Sequence, residues 1–95
     1  MSLDFSQKID AKIQKLHETT MRAEQLEKRL MVLSFAVHSS TLFSISDIQR
    51  NVMNASNSSI RTYLLDLMSI GYVERVTLWT YRATDKAKQL FGVKG

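Results

Sequence analysis

Residues 46–75, SDIQRNVMNASNSSIRTYLLDLMSIGYVER, contain two helix-like segments separated by four small residues at 54–57. The second segment restarts at Ser56 or Asn57, and both residue types commonly cap helix N-termini. Its apolar positions recur at helical spacing and are Ile60, Leu64, Leu67 and Met68. Gly71 predicts the end of this helix, because glycine is common just past a helix C-terminus. The stretch therefore predicts a helix, a turn and a second helix, followed by a strand.

The residues just before this stretch indicate how its first helix begins. Residues 42–45, LFSI, are mostly apolar and include a β-branched isoleucine, so they are a candidate for a short strand. Ser46 followed by Gln49 matches a capping box at a helix N-terminus. The turn after the first helix is expected to depend on Asn54, since asparagine tolerates the left-handed conformation better than most residues.

A hairpin and a short helix are predicted after Gly71. Residues 73–78 and 80–83 alternate β-branched, aromatic and polar side chains, which indicates two strands. Thr84 or Asp85 then caps a last helix that runs to Phe91, with a glycine just beyond it.

The N-terminal part of the chain predicts a long helix. There is no proline in the sequence and no glycine before Gly71, so residues 3–38 form one helix or two with a soft joint. Apolar residues recur every seven positions at Ile9, Leu16, Ala23, Leu30 and Val37. The apolar arc is narrow at first and widens from Leu26 onward, as in a helix buried in a core. We therefore expect residues 1–25 to form a projecting helical arm.

A projecting amphipathic helix of this length is marginal in water without a partner. The simplest partner is a second copy of the chain, with the two arms in contact through Ile9, Ile13, Leu16 and Ala23. The last helix of the chain is a further candidate for the dimer contact. The alternative is that the arm folds back on its own domain.

The composition limits the class of protein. The chain has 95 residues, a net charge of +4 and no cysteine, which excludes a disulfide framework and thiolate metal sites. Residues 39–95 carry seven basic and four acidic groups, a modest excess compatible with a polyanionic partner. No apolar run approaches the roughly 20 residues that a membrane span needs, and no signal-peptide pattern is present. We expect a soluble, cytoplasmic protein without a membrane partner.

A family pattern runs through about residues 28–92. The residues that carry it are Ser56-Asn57-Ser58-Ser59-Ile60, Leu64, Leu67, Gly71-Tyr72-Val73 and, after the hairpin, Tyr81-Arg82-Ala83-Thr84-Asp85-Lys86-Ala87. They resemble the S-x-S-T/S-V/I-x-x-x-L-x-x-L-x-x-x-G and Y-x-L-T-x-K-G segments of winged helix-turn-helix regulators, the broad group that includes the MarR and ArsR families. The resemblance does not single out a subfamily. It implies a mainly α, α+β winged helix over residues 26–92, with the arm before it and a tail at 93–95.

The resemblance also implies that the second helix of the motif binds duplex DNA. Its outward side chains are short and polar with one guanidinium, which suits the edges of bases in a major groove. Arg61 is the residue that we expect to contact a base. The expected DNA-binding residues are Ser56, Asn57, Ser58, Ser59, Arg61, Thr62, Tyr63, Arg75 and Arg82. For Tyr63, packing against the hairpin is the alternative to a phosphate contact.

The hairpin departs from the family pattern, because it is short and lacks the usual glycine, asparagine or basic cluster at its tip. Trp79 lies at this tip. It is expected to cover the core; an exposed Trp79 would instead indicate an interface.

No catalytic or metal-binding constellation is evident, and no cofactor is expected. His17 and His38 are isolated, without partners at metal-ligand spacing, and there is no glycine-rich phosphate loop. The sequence thus predicts a homodimeric, nucleoid-associated DNA-binding protein, used as a transcriptional regulator and most simply as a repressor. A DNA-organising adaptor in plasmid or phage partition or replication, or a winged-helix module that binds another protein, are the alternatives.

Overall fold

The computed structural model describes residues 22–93, which contain four helices and one antiparallel hairpin. In chain order the elements are α1, helical over residues 22–38, α2 at Ile45–Asn51, α3 at Asn57–Ser69, β1 at Val73–Arg75, β2 at Tyr81–Ala83 and α4 at Asp85–Leu90. This part of the chain is mainly helical with a small sheet, which confirms the expected mainly α, α+β class. Most of the predicted arm, including Ile9, Ile13 and Leu16, lies outside the described residues, as do residues 94–95. None of the described helices is long and apolar enough to cross a membrane.

The hydrophobic core lies where the helices and the hairpin face one another. Its large enclosed side chains are Val32, Leu33 and Val37 of α1, Phe43, Ile48 of α2, and Ile60 and Leu64 of α3. Phe43 connects two layers, because its ring meets Phe35 edge-on at 5.6 Å and stacks on Tyr81 at 6.2 Å between centroids. No polar or charged side chain of residues 22–93 is buried in this core. The hydrophobic effect is therefore its main source of stability.

α1 is buried over a shorter length than its apolar arc predicts. Leu33 and Val37 are enclosed, as expected. The exposed side chains are Leu26, Leu30 and Met31. Burial of the whole arc from residue 26 is therefore a wrong prediction. The N-terminal half of the described helix contacts α3 through a polar clamp instead: Arg29 pairs with Asp66 at 2.6 Å and lies 5.0 Å from the ring centre of Tyr63.

α2 begins at a different cap from the one predicted. Ser44 is the N-cap: its hydroxyl accepts a hydrogen bond from the Asp47 N–H at 3.3 Å, and its own N–H donates to the Asp47 carboxylate at 2.9 Å. The predicted box of Ser46 and Gln49 is wrong. The carboxylate at the third helical position is an aspartate here, so the box does not match the usual pattern of serine followed by glutamate or glutamine.

The early start of α2 also shortens the predicted strand at 42–45. Only Phe43 pairs with the sheet, through two hydrogen bonds to the backbone of Tyr81 at 3.0 and 2.8 Å. Ile45 already belongs to α2, so the strand is wrong beyond this one bridge.

The turn between α2 and α3 forms without a left-handed asparagine. Among residues 22–93 only glycines have positive φ, so the expected role of Asn54 is wrong. The N–H groups of Val52 and Met53 both donate to the carbonyl of Ile48, which closes α2. The link is long enough to reach Ser56, the N-cap of α3, in ordinary backbone conformations.

Gly71 ends α3, as predicted. Its φ is +82°, its N–H donates to the Met68 carbonyl at 3.0 Å, and the next N–H, of Tyr72, reaches Leu67 at 2.9 Å. This pair of hydrogen bonds is a Schellman motif, in which a residue with a side chain is strained. Thr84, one of the two predicted candidates, caps α4, and its hydroxyl also donates to the Gly71 carbonyl at 2.6 Å.

The hairpin is shorter than predicted. β1 and β2 have three residues each, with Val73 opposite Ala83 and Arg75 opposite Tyr81. Residues 76–80 form the connection, because the N–H groups of residues 76 and 77 both donate to the Thr80 carbonyl at its far end. This connection lies beside the start of α3 and positions the site described next.

Candidate functional site

An open groove of about 520 Å³ lies between the starts of α2 and α3 and one side of the hairpin. Its lining residues are Ser44, Ile45 and Ser46 at the start of α2, Asn57 and Arg61 of α3, and Arg75, Leu78, Trp79 and Tyr81 of the hairpin. The lining contains two arginines and no carboxylate. We call it the α3–hairpin groove; it combines positive charge with apolar and aromatic surface.

The structure places four of the predicted DNA-binding residues on the exposed side of α3: Asn57, Ser58, Arg61 and Thr62. The buried residues of the same helix, such as Ile60 and Leu64, face the core. The Thr62 hydroxyl donates to the Ser58 carbonyl at 3.0 Å, so its outward groups are a lone pair and a methyl group. The polar face predicted from the spacing therefore exists as a contiguous surface.

Asn57 is held in one orientation by a residue of the preceding helix. The side-chain amide of Gln49 donates to the Asn57 oxygen at 2.6 Å and to the Ala55 carbonyl at 3.1 Å. Because the oxygen of Asn57 is occupied, its NH₂ group is the part left to donate to a ligand. Gln49 therefore positions both the turn and the first side chain of α3.

Arg61 lies one helical turn beyond Asn57 on the same side of α3. Its side chain is exposed, and within residues 22–93 its guanidinium takes part in no ion pair. Five N–H donors are thus available to a ligand that enters the groove.

Arg75 lines the same groove as Arg61 but is partly engaged. Its Nε donates to the Thr77 carbonyl at 3.3 Å and its Nη2 to the Leu78 carbonyl at 2.8 Å. The guanidinium therefore fixes the connection at 76–80 and adds positive charge to the groove at the same time.

Trp79 is exposed, which makes its expected place over the core wrong. Its side chain is 71% exposed and that of Leu78 is 63% exposed. The strands end at Arg75 and Tyr81, so the connection projects away from the core and cannot return its side chains to it. Both side chains line the groove beside the two arginines.

Two predicted site residues lie elsewhere. Tyr63 is 6% exposed and packs in the core beneath Arg29, so it does not share the surface of Asn57 and Arg61. Arg82 is paired with Glu74 on the other side of the hairpin. The groove on that side has acidic residues, including Asp85, among its lining. It is therefore a poorer match for an anion than the α3–hairpin groove.

Ser56 and Ser59 serve the start of α3 itself. The Ser56 hydroxyl accepts the Ser59 N–H at 3.1 Å and donates to the Ser59 hydroxyl at 3.0 Å. No acidic residue lies in the first turn of α3. The partial positive charge of this helix end therefore adds to the charge of the two arginines in the groove.

Asp47 is an acidic group adjacent in sequence to the groove, directly after Ser46. The hydrogen bond from the Ser44 N–H is the main cause that lowers the pKa of Asp47, while partial burial acts in the opposite direction. The carboxylate is also paired with Arg50 at 2.8 Å. The Asp47 carboxylate therefore interacts with the cap of α2 and with Arg50.

Within the described part of the chain, histidine and acidic side chains form no cluster of three that could hold a metal ion. His38 is hydrogen-bonded to the Ser34 carbonyl of its own helix at 2.8 Å.

No protein-family model matches this chain, and neither the curated proteins nor the solved structures include a significant match. The α3–hairpin groove therefore has to be interpreted from its own chemistry.

Two parts of this site, Gln49 and Leu78, were not predicted from the sequence, and an exposed Trp79 at an interface was only the alternative. Gln49 contacts Asn57 across a turn, eight positions away, and no local pattern signals such a contact. For Leu78 and Trp79 the alternating pattern was misleading, because it predicts strands longer than the three residues each that form.

Proposed function

We propose that this chain is a winged helix-turn-helix protein that binds duplex DNA through α3. In this proposal α3 lies in the major groove and the hairpin acts as a small wing. The chain acts as a homodimeric transcriptional regulator, most simply a repressor, at the nucleoid. A DNA-organising adaptor would use the same surface.

The observation that carries the proposal is the exposed polar side of α3 beside a groove without carboxylates. Arg61 and the NH₂ group of Asn57 are donors one helical turn apart, which suits acceptors on the edges of bases. Arg75 and the first-turn N–H groups of α3 that the Ser56 hydroxyl does not engage are donors suited to phosphate oxygens. In duplex DNA the base edges form the floor of a groove and the phosphates flank it, so both kinds of acceptor lie close together.

The homodimer is supported by exposed apolar residues on α1. Leu30 belongs to the seven-residue stripe that continues from the arm and remains 46% exposed, whereas Val37 of the same stripe is buried. The stripe is therefore buried in the core at Val37 and exposed to solvent at Leu30. Two copies joined along it would present two α3 helices to a repeated or palindromic DNA site.

Binding of random genomic fragments over a salt series tests the function. We expect wild type to enrich a repeated motif and to weaken steeply with salt, with a log–log slope of about 0.9 per phosphate contact. Arg61→Ala should cost about 1–3 kcal/mol of binding free energy and relax selectivity, because it removes a bidentate donor to a base. Lys28→Ala removes the same charge from an exposed site on α1 and serves as the control.

A folded chain that binds no duplex at low salt would overturn this function. The second candidate would then be a protein-interaction module. Its specific support is the exposed pair Leu78 and Trp79, since aromatic residues are enriched at protein interfaces.

A further inference from the structure

We propose that Leu78 and Trp79 form an apolar contact with DNA, in which the Trp79 indole packs on the apolar surface of a deoxyribose or on a thymine methyl group. The inference rests on the proposed function and deepens it. It assigns the affinity of the hairpin to apolar contacts, in addition to the positive charge of Arg75.

The connection that carries these side chains is held by its own hydrogen bonds. Arg75 donates to the carbonyls of Thr77 and Leu78, and the hydroxyls of Thr77 and Thr80 lie 2.6 Å apart. The Trp79 N–H donates to the Thr77 hydroxyl at 3.3 Å. The loop is thus fixed with its two largest apolar side chains in solvent, which lowers the conformational entropy lost on binding.

The surroundings of Trp79 select the kind of partner. The same groove holds Arg61 and Arg75 and contains no carboxylate. Duplex DNA offers both of the required chemistries at short intervals, with phosphates for the guanidinium groups and sugar and thymine methyl surfaces for the indole. A protein partner would have to place carboxylates beside an apolar group, whereas DNA presents phosphates beside sugars along its whole length.

The salt dependence of binding separates the indole from the arginines. Trp79→Ala should weaken duplex binding about 5- to 100-fold, as expected when the burial of one large apolar side chain is lost. The slope of affinity against salt should stay unchanged, because no cation is removed. Trp79→Phe should retain most of the affinity. A change of less than twofold in Trp79→Ala, with wild-type binding intact, would overturn the inference.

Leu78 and Leu90 provide a matched pair for the same experiment. Both side chains are 63% exposed, but Leu78 lines the groove and Leu90 lies on α4. Leu78→Ala should therefore weaken binding several-fold while Leu90→Ala leaves it unchanged. Equal effects of the two substitutions would contradict a contact at the groove.

Fluorescence distinguishes failure of this inference from failure of the proposed function. Trp79 is the only tryptophan, so its emission reports on this side chain alone. The probe is a fluorescein-labelled 30-base-pair duplex of the motif enriched from genomic fragments, and its anisotropy measures binding independently. Rising anisotropy together with quenched Trp79 emission supports both proposals. Rising anisotropy with unchanged emission overturns the apolar contact alone. If no motif is enriched and a random-sequence duplex of the same length leaves the anisotropy flat at low salt, both are overturned.

Discussion

Ser44 shows how much a single side chain decides about this site. By capping α2 it starts that helix at Ile45, so the beginning of α2 lies at the groove opposite Trp79. It also holds the carboxylate of Asp47 through two donors, its N–H and its hydroxyl. Ser44, two positions before the predicted cap, therefore determines both where α2 begins and where the Asp47 carboxylate is held.

Replacing Ser44 should destabilise the fold more than replacing Ser46. Loss of an N-cap hydroxyl costs about 1 kcal/mol of unfolding free energy, so Ser44→Ala should lower it by that amount. Ser46→Ala should change it little, because the Ser46 side chain is exposed and does not cap the helix. Urea denaturation followed by circular dichroism measures both variants, and equal losses would contradict the capping box at Ser44.

The difference in stability between wild type and Asp47→Asn should depend on pH, because this variant removes the carboxylate that the Ser44 N–H holds. The folded state lowers the pKa of Asp47 from its usual value of 3.8, mainly through the Ser44 N–H. Part of the stability of the box is therefore present above that value and is lost as the pH falls through the lower, folded-state pKa. The same denaturation series near pH 7 and near pH 2.5 should show a smaller difference in acid.

At the level of elements, the sequence predicted what depends on local periodicity and capping. The core side of α3 and the glycine that ends it are visible in the spacing of a few residues. The caps of α3 and α4 were each predicted to within two adjacent residues, and the structure shows Ser56 and Thr84.

What could not be predicted depends on contacts between elements. The single bridge of Phe43 to Tyr81 exists only because the hairpin lies beside the residue before α2. The burial of Tyr63 requires Arg29 of α1 to lie over its ring. Trp79 is exposed because each strand has only three residues. The alternating pattern predicted longer strands.

At the scale of the whole molecule, the proposed dimer relates the N-terminal helix to the DNA-binding surface of α3. DNA sites recognised by one short helix are small, and a second copy doubles the contact at a fixed spacing. The described residues that would continue the dimer seam are on α1, where Leu26 and Leu30 are exposed.

Leu30→Lys should weaken the dimer, because it places a charge in the proposed apolar seam. In sedimentation velocity we expect wild type to have the mass of two chains and the variant to shift toward one. Leu78→Lys, at an exposed leucine of the 76–80 connection, is the control and should sediment as wild type does in the absence of DNA. A wild-type chain that remains monomeric at micromolar concentration would contradict the homodimer.

Whether DNA lies along α3 and the hairpin can be tested by mapping the surface of the chain that the duplex contacts. The measurement is the change in backbone amide chemical shifts by NMR when the enriched duplex is added to the full chain. We expect the largest chemical-shift changes at residues 56–62 and 75–81, with small changes along α4. Large changes confined to α4 and the far side of the hairpin, at Glu74 and Arg82, would contradict this placement of the DNA.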